Sequence, residues 1–190
     1  MSIICFSGQA ASGKDSIVRE LIKKDYKRIV SHTTRPMRMN EKDGVEYYFH
    51  KSFDEAKNPF NVKVYKNEWY YWFEEEDVMN AVNSDDTYIT IADVDGSLKL
   101  QELGAVLIYI YAPMRVRLER YFKRESKNEN PDYKEVIRRI LADHDDFQKF
   151  QFEAIEGYNY VKVISNYLDS LEHTVAEVEK FIKEVNNYDN

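Results

Sequence analysis

The stretch Gly8-Gln9-Ala10-Ala11-Ser12-Gly13-Lys14-Asp15-Ser16 stands near the start of the chain. The apolar residues 3–6 precede it and predict a strand, and residues 17–22 follow with apolar side chains at helical spacing. A strand, a glycine-containing loop and a helix, with the spacing G-x-x-x-x-G-K, form the Walker A pattern. The stretch therefore predicts a loop whose backbone N–H groups wrap a polyphosphate, with Lys14 reaching the β- and γ-phosphates.

This loop is expected to bind the phosphates of ATP. Glycine can take positive φ and allows close approach of the backbone, and a helix N-terminus adds free N–H groups and about half a positive charge. An ordinary glycine turn that starts a helix is the alternative, but the position, the flanking elements and the Gly-Lys pair all disfavour it. The residues predicted to bind ATP here are Gly8, Ala11, Ser12, Gly13, Lys14, Asp15 and Ser16.

Asp15 stands where the Walker A pattern has a Ser or Thr that holds Mg²⁺, and Ser16 follows one residue later. A carboxylate is also an acceptable Mg²⁺ ligand. It adds negative charge beside the phosphates, which is unfavourable unless a metal ion neutralises it. We therefore expect Mg²⁺ as cofactor, near Asp15 or Ser16.

Composition narrows the class of protein. With 190 residues, the chain predicts one domain, or one core with insertions. A net charge of −7 argues against a general binder of nucleic-acid polymers or membrane surfaces, although a small phosphorylated substrate needs only a local basic cluster. No apolar run is long enough to span a bilayer, and no signal peptide is recognisable. The single cysteine, Cys5, cannot form an internal disulfide, so a cytoplasmic location is expected.

Apolar runs predict a parallel sheet of about five strands. Residues 87–92 and 105–111 are nearly continuous apolar runs, as in parallel strands buried on both faces. Shorter runs at residues 26–30 and 160–165 add further strands, and helices are expected on both sides of the sheet. The predicted helices after the first are at residues 52–58, 74–82 and 97–103, after Pro113, and at residues 133–153 and 168–185. In the long helix at residues 133–153, the side chains expected to face inward are Tyr133, Val136, Ile137, Ile140 and Leu141. The last helix is expected to pack on the sheet through the apolar stripe Leu168, Leu171, Val175, Val178, Ile182 and Val185.

A second motif runs from Ser31-His32-Thr33-Thr34-Arg35-Pro36-Met37-Arg38 through Glu41 to Asp43-Gly44-Val45-Glu46-Tyr47-Tyr48-Phe49. The planar guanidinium of arginine binds two phosphate oxygens at once, and a tyrosine hydroxyl can complete such a site. The alternative is a polar surface hairpin with solvated arginines. Taken alone, this segment would favour that alternative.

Together, the loop and the pattern S-x-T-T-R-x-x-R-x-x-E-x-x-G-x-x-Y-x-F resemble the guanylate kinase family, and the resemblance covers nearly the whole chain. It implies a three-layer α/β P-loop kinase fold with a core at residues 1–30, 85–123 and 140–190. It also implies a lobe that binds the nucleoside monophosphate at about residues 31–84 and a LID at about residues 124–139. The implied reaction is ATP + GMP → ADP + GDP, with ATP and GMP as partners and a monomer or homodimer as the assembly.

The resemblance implies which residues bind the acceptor nucleotide. Ser31, Arg35, Arg38 and Tyr47 would hold its phosphate, Tyr71 belongs to the same site, and Asp95 would face its base. In the Asp-x-Asp pattern formed by Asp93 and Asp95, Asp93 would face the metal. A turn in which an aspartate caps the following helix is the alternative there.

The positions that read guanine depart from the family pattern. The family has a glutamate before a hairpin turn and a Tyr-Gly-Ser run after it, and the hairpin is predicted here from residues 60–65 and 68–73. Alignment puts Val62 at the place of the glutamate and Phe73 at that of the serine. A carboxylate from a shifted register could replace the glutamate; the candidates are Glu68, Glu74, Glu75 and Glu76. Two alternatives follow: a kinase for another (deoxy)nucleoside monophosphate, or a guanylate-kinase-like module that binds proteins.

A dense basic run follows the strand at residues 105–111. Arg120 and Arg124 are four residues apart and share one helix face. The resemblance implies that Arg120, Arg124 and Arg139 flank the LID and close over the transferring phosphate, where positioned positive charge is the main source of catalysis. A solvated basic helix, balanced by Asp143, Asp145 and Asp146, is the alternative. Asn166 is expected against the adenine of ATP. The residues predicted to be catalytic are Lys14, Arg35, Arg38, Arg120, Arg124, Arg139 and Asp93.

Overall fold

The computed structural model describes residues 3–37, 41–64, 68–156, 161–167 and 170–188. These residues form nine strands and six α-helices. The strands are β1 Ile3–Ser7, β2 Lys27–Arg28, β3 His32–Thr33, β4 Tyr48–Phe49, β5 Pro59–Val64, β6 Tyr70–Glu74, β7 Tyr88–Ile91, β8 Val106–Tyr111 and β9 Val161–Ser165. The helices are α1 Lys14–Ile22, α2 Glu75–Val82, α3 Val94–Glu102, α4 Met114–Glu125, α5 Tyr133–Glu156 and α6 Leu171–Tyr188.

Five strands form a parallel central sheet in the order β2-β7-β1-β8-β9. Ile4 of β1 lies between Ile89 of β7 and Val106 of β8, so the buried strands are in the middle of the sheet. The parallel sheet of about five strands predicted from the apolar runs is confirmed.

Helices cover both faces of this sheet because successive side chains of a strand point to opposite sides. Ile4 and Phe6 pack with α1 and α6 in one buried cluster, and Ile3 and Cys5 pack with α3 and the Phe147 ring of α5 in another. The apolar stripe predicted for the last helix is buried from Val175 to Val185, while position 168 lies outside the described residues. The predicted three-layer α/β architecture is confirmed.

The second predicted strand is shorter than residues 26–30, since β2 has only two residues. One further ladder hydrogen bond runs from the Ile29 N–H to the Ile89 carbonyl at 3.0 Å. The chain then crosses to another sheet, where His32 pairs with Trp72. This crossing ends the strand, so its predicted length was wrong.

The second sheet has the order β4-β3-β6-β5 and is built from residues between β2 and β7. The antiparallel pair β5 and β6 is the hairpin predicted from residues 60–65 and 68–73, and residues 65–67 lie outside the described part. The pairing register of β5 shifts between Phe60 and Lys63, and Asn61 has φ of +51°. This bulge decides which side chains of β5 face the rest of the molecule.

Two predicted helices differ in extent. Residues 52–58 form only a single 3₁₀ turn, Phe53–Glu55, closed by reciprocal side-chain and backbone bonds between Ser52 and Glu55. Ala56 is already extended, which leads the chain into β5 at Pro59. The helix predicted at residues 97–103 begins three residues earlier, at Val94.

The long helix predicted at residues 133–153 is present, but its buried face is narrower than predicted. Val136 and Ile140 are buried against Tyr121 of α4. The other apolar residues predicted to face inward are exposed; these are Tyr133, Ile137 and Leu141. The prediction was wrong for these three because the first part of α5 packs on α4 through one stripe, whereas Phe147, further along the helix, packs in the core.

In the part of the chain that the structure describes, no helix combines the length and the apolar character needed to cross a membrane.

Candidate active site

A cleft of about 230 Å³ opens between the ends of the central strands, the second sheet and α5. In α/β sheets, ligands bind beyond the carboxyl ends of the strands. Of the predicted site residues, those that line the cleft are Gly8, Lys14, Ser31, Tyr47, Tyr71, Asp93 and Arg139. Polar lining residues that the sequence reasoning did not assign to the site are Asn61, Lys63, Arg138 and Asp143.

The loop after β1 is compact and needs its glycines. Gly8 has φ of +148°, and a Cβ there would lie 2.5 Å from the Ile110 carbonyl oxygen. Gly13 has φ of +100°, and a Cβ there would lie 2.0 Å from Nδ2 of Asn166. Ala11 also takes positive φ, at +62°. Helix α1 begins directly after Gly13, so its N-terminus and Lys14 face the end of the cleft.

Two polar side chains bind this loop on the side away from the cleft. Arg120 donates from Nη1 to the Ser12 carbonyl at 3.1 Å and from Nη2 to the Asn166 carbonyl at 2.7 Å. The Asn166 side chain donates from Nδ2 to the same Ser12 carbonyl at 2.8 Å and accepts from Thr174. Ser12 is itself fully buried. Arg120 and Asn166 therefore fix the loop carbonyls on the side away from the cleft.

The opposite flank of the loop contacts α5. The Ala10 N–H donates to Oδ2 of Asp143 at 2.5 Å. The sequence reasoning assigned Asp143 only a balancing charge, so this contact was missed. Nothing in the local pattern signals it, because 133 residues separate the two partners.

Helix α5 places a pair of arginines over the cleft. Glu135 accepts from Nε and Nη2 of Arg138 at 2.6 and 2.9 Å, and from Nε of Arg139 at 2.7 Å. These bonds, that from Arg138 first, lower the pKa of Glu135 to about 2. Glu135 precedes the arginines by three and four residues, which is the spacing of contacts along a helix. That spacing could have identified Arg138 and Glu135 from the sequence.

Arg124 lies elsewhere. It is exposed, and its guanidinium stacks on the Tyr121 ring at 4.7 Å from the centroid. Tyr121 lines the cleft, whereas Arg124 does not.

Arg35 of the second motif is almost fully buried, with 3% of its surface exposed. It donates to both carboxylate oxygens of Glu41, at 2.9 and 2.8 Å, and to the Pro36 carbonyl at 2.7 Å. It also lies near the rings of Tyr47 and Phe49. Arg35 therefore supports the segment that carries Tyr47 but does not line the cleft, and the predicted site residue Arg38 lies outside the described residues.

Tyr47 and Tyr71 meet edge to face at the cleft, with ring centroids 5.8 Å apart. Burial, and then the negative charge of Asp15, raise the pKa of the Tyr47 hydroxyl. This hydroxyl is therefore neutral at physiological pH and can donate a hydrogen bond to an anion.

Asp93 caps α3, because its Oδ1 accepts from the Gly96 N–H at 2.8 Å. Its other oxygen, Oδ2, lies 3.2 Å from Nζ of Lys63. The same ammonium lies 3.7 Å from Oδ2 of Asp95. Asp93 therefore caps the helix, as the alternative interpretation of the sequence expected. It also forms an ion pair with Lys63 of the second sheet.

Val62, which the alignment places at the family's glutamate position, does not contribute to the cleft. Val62 is 40% exposed and does not line the cleft, whereas its neighbours Asn61 and Lys63 do. Phe73, aligned with the serine, does line the cleft and is buried.

The Mg²⁺ ligands predicted on α1 are accessible to solvent. Asp15 and Ser16 are both exposed in the first turn of α1, next to Lys14, so their oxygens are open to a hydrated cation carried by a nucleotide. No group of three or more His, Cys, Asp or Glu side chains that could hold a metal occurs in the described residues. The residues present therefore fit a Mg²⁺ ion that enters bound to phosphates rather than one held by the protein alone.

Comparisons with known proteins agree with this geometry. The sequence model of the family described as guanylate kinase matches residues 1–185. The guanylate kinase of Caldanaerobacter subterraneus subsp. tengcongensis is 31% identical over 179 residues, which cover 88% of this chain and 81% of that protein. The guanylate kinase of Rickettsia bellii is 30% identical over 190 residues, which cover 95% and 92%.

A solved structure shows the same fold. The crystal structure of guanylate kinase from Anaplasma phagocytophilum superimposes with a TM-score of 0.64 at 20% sequence identity, over 96% of this chain and 85% of that one.

Proposed function

Because the chain belongs to the guanylate kinase family, we propose that it transfers the γ-phosphate of ATP to GMP and releases ADP and GDP. One structural observation supports the proposal independently of the family relationship. A single cleft contains Lys14 of the phosphate loop, Tyr47 and Tyr71 of the second sheet, and the arginines of α5. Donor phosphate, acceptor phosphate and neutralising charge can therefore meet in one place.

The protein's part in this reaction is positioning and charge. Lys14 and the loop amides hold the donor phosphates, Ser31 and Tyr47 hold the acceptor phosphate in line with them, and Tyr71 contacts the same acceptor nucleotide. Arg35 and Arg38 belong to the same acceptor segment. Arg139, together with Arg138, neutralises charge on the transferring group. A phosphate oxygen of the acceptor is the nucleophile, so no protein nucleophile is required.

Asp15 and Ser16 are the residues that would hold Mg²⁺ when ATP is bound. The ion would neutralise negative charge on the donor phosphates. Oδ1 of Asp93 accepts from the α3 cap and Oδ2 lies near Lys63, so Asp15 and Ser16 rather than Asp93 are the proposed ligands.

Closure of two mobile parts completes the proposal. The lobe at about residues 31–84 and the LID at about residues 124–139 would close over the cleft, which excludes water and limits hydrolysis of ATP. A cytoplasmic location and a monomer or homodimer remain our predictions for the whole protein.

The test is a coupled assay of ADP release with MgATP and the acceptors GMP, dGMP, AMP, CMP, UMP and dTMP. We expect turnover with GMP well above the other ribonucleotides. Lys14→Ala should abolish turnover and leave the circular dichroism spectrum unchanged. Lys23→Ala is the matched control, since Lys23 follows the same helix and pairs only with exposed Glu20.

Each outcome has a distinct meaning. Turnover with a different acceptor would keep the mechanism and replace the substrate. Folded protein without turnover for any acceptor would contradict the proposal and favour a protein-binding module. Full activity in Lys14→Ala would contradict the role of the loop.

A further inference from the structure

We propose that Lys63 is a specificity-determining residue that recognises the 6-oxo group of the acceptor base, with Asp93 and Asp95 recognising the adjacent N–H groups. The proposal rests on the proposed function, because it assigns the base end of the same cleft. It differs from the sequence alignment, which placed an apolar residue, Val62, at the base-reading position of this strand.

The bulge in β5 brings Lys63 to the cleft. Side chains of a strand alternate between its two faces, and a shift of one residue exchanges the faces. The irregular pairing between Phe60 and Lys63, with positive φ at Asn61, sets this alternation. Asn61 and Lys63 consequently line the cleft, and Val62 points away from it.

Lys63 and two carboxylates form one cluster at the end of β7. Nζ of Lys63 lies 3.2 Å from Asp93 and 3.7 Å from Asp95, and 20% of the Lys63 side chain is exposed. The Asp95 side chain is 68% exposed, so it is open to a ligand from the solvent side. The cluster therefore offers one cationic donor and two anionic acceptors along the rim of the cleft.

The walls beside this cluster are flat and apolar. Trp69, Tyr71 and Phe73 come from the second sheet, and Ile91 and Ala92 come from the end of β7. Aromatic and aliphatic surfaces of this kind pack against the faces of a planar base but do not distinguish one base from another. Discrimination must therefore come from the polar rim.

The polar rim matches guanine better than the other bases. The edge of guanine presents one acceptor, O6, followed by two donors, N1–H and N2–H. Adenine presents one donor and one acceptor, cytosine one donor and two acceptors, and uracil an acceptor on each side of one donor. One ammonium and two carboxylates can satisfy all three groups of guanine, whereas a 6-amino group would bring its N–H donors against the Lys63 ammonium.

Four purine nucleotides separate the groups that are recognised. GMP and the monophosphate of 2,6-diaminopurine riboside share the 2-amino group and differ at position 6 and at N1, which carries a proton only in GMP. IMP and AMP differ in the same way but both lack the 2-amino group. If Lys63 recognises O6, the wild type should prefer the 6-oxo member of each pair by about 5- to 150-fold in kcat/KM, since an unpaired buried polar group costs about 1–3 kcal/mol.

Lys63→Met keeps the length of the side chain and removes its charge. We expect the preference for 6-oxo over 6-amino acceptors to fall by the factor assigned to O6, about 5- to 150-fold, with the KM for ATP unchanged. Lys63→Gln can still donate to O6, so it should lie between wild type and Lys63→Met. Val62→Ala, on the same strand and facing away, should leave the preference unchanged.

Several outcomes would overturn the proposal. Equal loss with all four acceptors in Lys63→Met, at unchanged preference, would assign Lys63 a purely structural ion pair. A gain of GMP turnover in Val62→Glu would show that Val62 faces the base instead. Equilibrium binding of the same four nucleotides to wild type and Lys63→Met tests base recognition even if the wild type turns over none of them, so failure of the proposed function and failure of this inference are distinguishable.

Discussion

Asp143 of α5 accepts a hydrogen bond from the backbone N–H of Ala10 at 2.5 Å, and both residues line the cleft. The bond ties the phosphate loop to the helix that carries Arg138 and Arg139. It is charge-assisted, because the acceptor is a carboxylate. This bond therefore helps to fix the position of the phosphate loop relative to the two arginines that line the cleft.

Asp143→Ala should lower the free energy of unfolding by about 1–3 kcal/mol, because the Ala10 N–H loses its partner. Asp143→Asn should recover part of this loss, since an amide oxygen also accepts a hydrogen bond. Urea unfolding followed by circular dichroism measures the effect. Asp145→Ala is the control: Asp145 is exposed on the same helix, and an equal loss in that variant would contradict a specific role for the Ala10 bond.

Glu135→Gln should reduce kcat by about 10- to 100-fold, because misplaced charge over the transferring group is costly. The change weakens the bonds that orient Arg138 and Arg139. We expect kcat and kcat/KM to fall together, which is the signature of an interaction made in the transition state. The control is Glu119→Gln, which weakens an exposed pair with Arg115 on α4. An unchanged kcat in Glu135→Gln would exclude this orienting role.

We also expect the Glu135 carboxylate to make the free energy of unfolding depend on pH in the acid range. The Arg138 bond, and then the Arg139 bond, lower the pKa of Glu135 from 4.5 to about 2 in the folded protein. Since the folded pKa lies below the unfolded one, the contribution to stability is present above pH 4.5 and is lost as the pH falls through about 2. The difference in unfolding free energy between wild type and Glu135→Gln should therefore shrink between pH 5 and pH 2. A constant difference would show that charge on Glu135 does not stabilise the fold.

Asn166→Ala should destabilise the phosphate loop. The variant removes one of the two donors to the Ser12 carbonyl, the other being Arg120, and the loss of this buried hydrogen bond should cost about 1 kcal/mol. We expect a lower melting temperature and a raised KM for ATP, measured by calorimetry and by the coupled assay. The matched control is Asn128→Ala, which removes an exposed contact with Glu125. A raised KM without any loss of stability would instead support the predicted contact of Asn166 with adenine.

We expect His32 to make the free energy of unfolding depend on pH nearer to neutrality. It shares a hydrogen bond with His50 at 2.9 Å and stacks against Trp72, and Asp77 lies 3.7 Å away. Burial, and then the charge of His50, lower the pKa of His32 from 6.5, although Glu74 and Asp77 oppose this shift. Between the folded and unfolded pKa values the unfolded chain binds more protons, so stability should fall as the pH decreases below 6.5.

His32→Asn should remove this pH dependence. We expect the wild type to lose more unfolding free energy than the variant between pH 7.5 and pH 5. The exposed His173 supplies the control, since His173→Asn should keep the wild-type slope. Equal slopes in wild type and His32→Asn would assign the acid response to other groups.

The features predicted from sequence are those encoded by neighbouring residues. The phosphate loop follows from the local spacing between Gly8 and Lys14, and the parallel sheet follows from apolar runs such as residues 105–111. The contact between Asp143 and Ala10 could not be predicted, because it depends on how α5 packs. The sequence also could not show which side chains of β5 face the cleft. The bulge that sets this has its positive φ at an asparagine, Asn61, and no glycine marks it.

The bulge in β5 has a consequence for how such proteins diverge. The side chains on the two faces of this strand differ in kind: Val62 is apolar, and its neighbours Asn61 and Lys63 carry an amide and a cation. Insertion or deletion of one residue in the hairpin would exchange these faces, and so change which side chains line the cleft, without substituting any residue of the strand. Changes of length in this hairpin are therefore a route to a new substrate that an alignment of residue identities does not reveal.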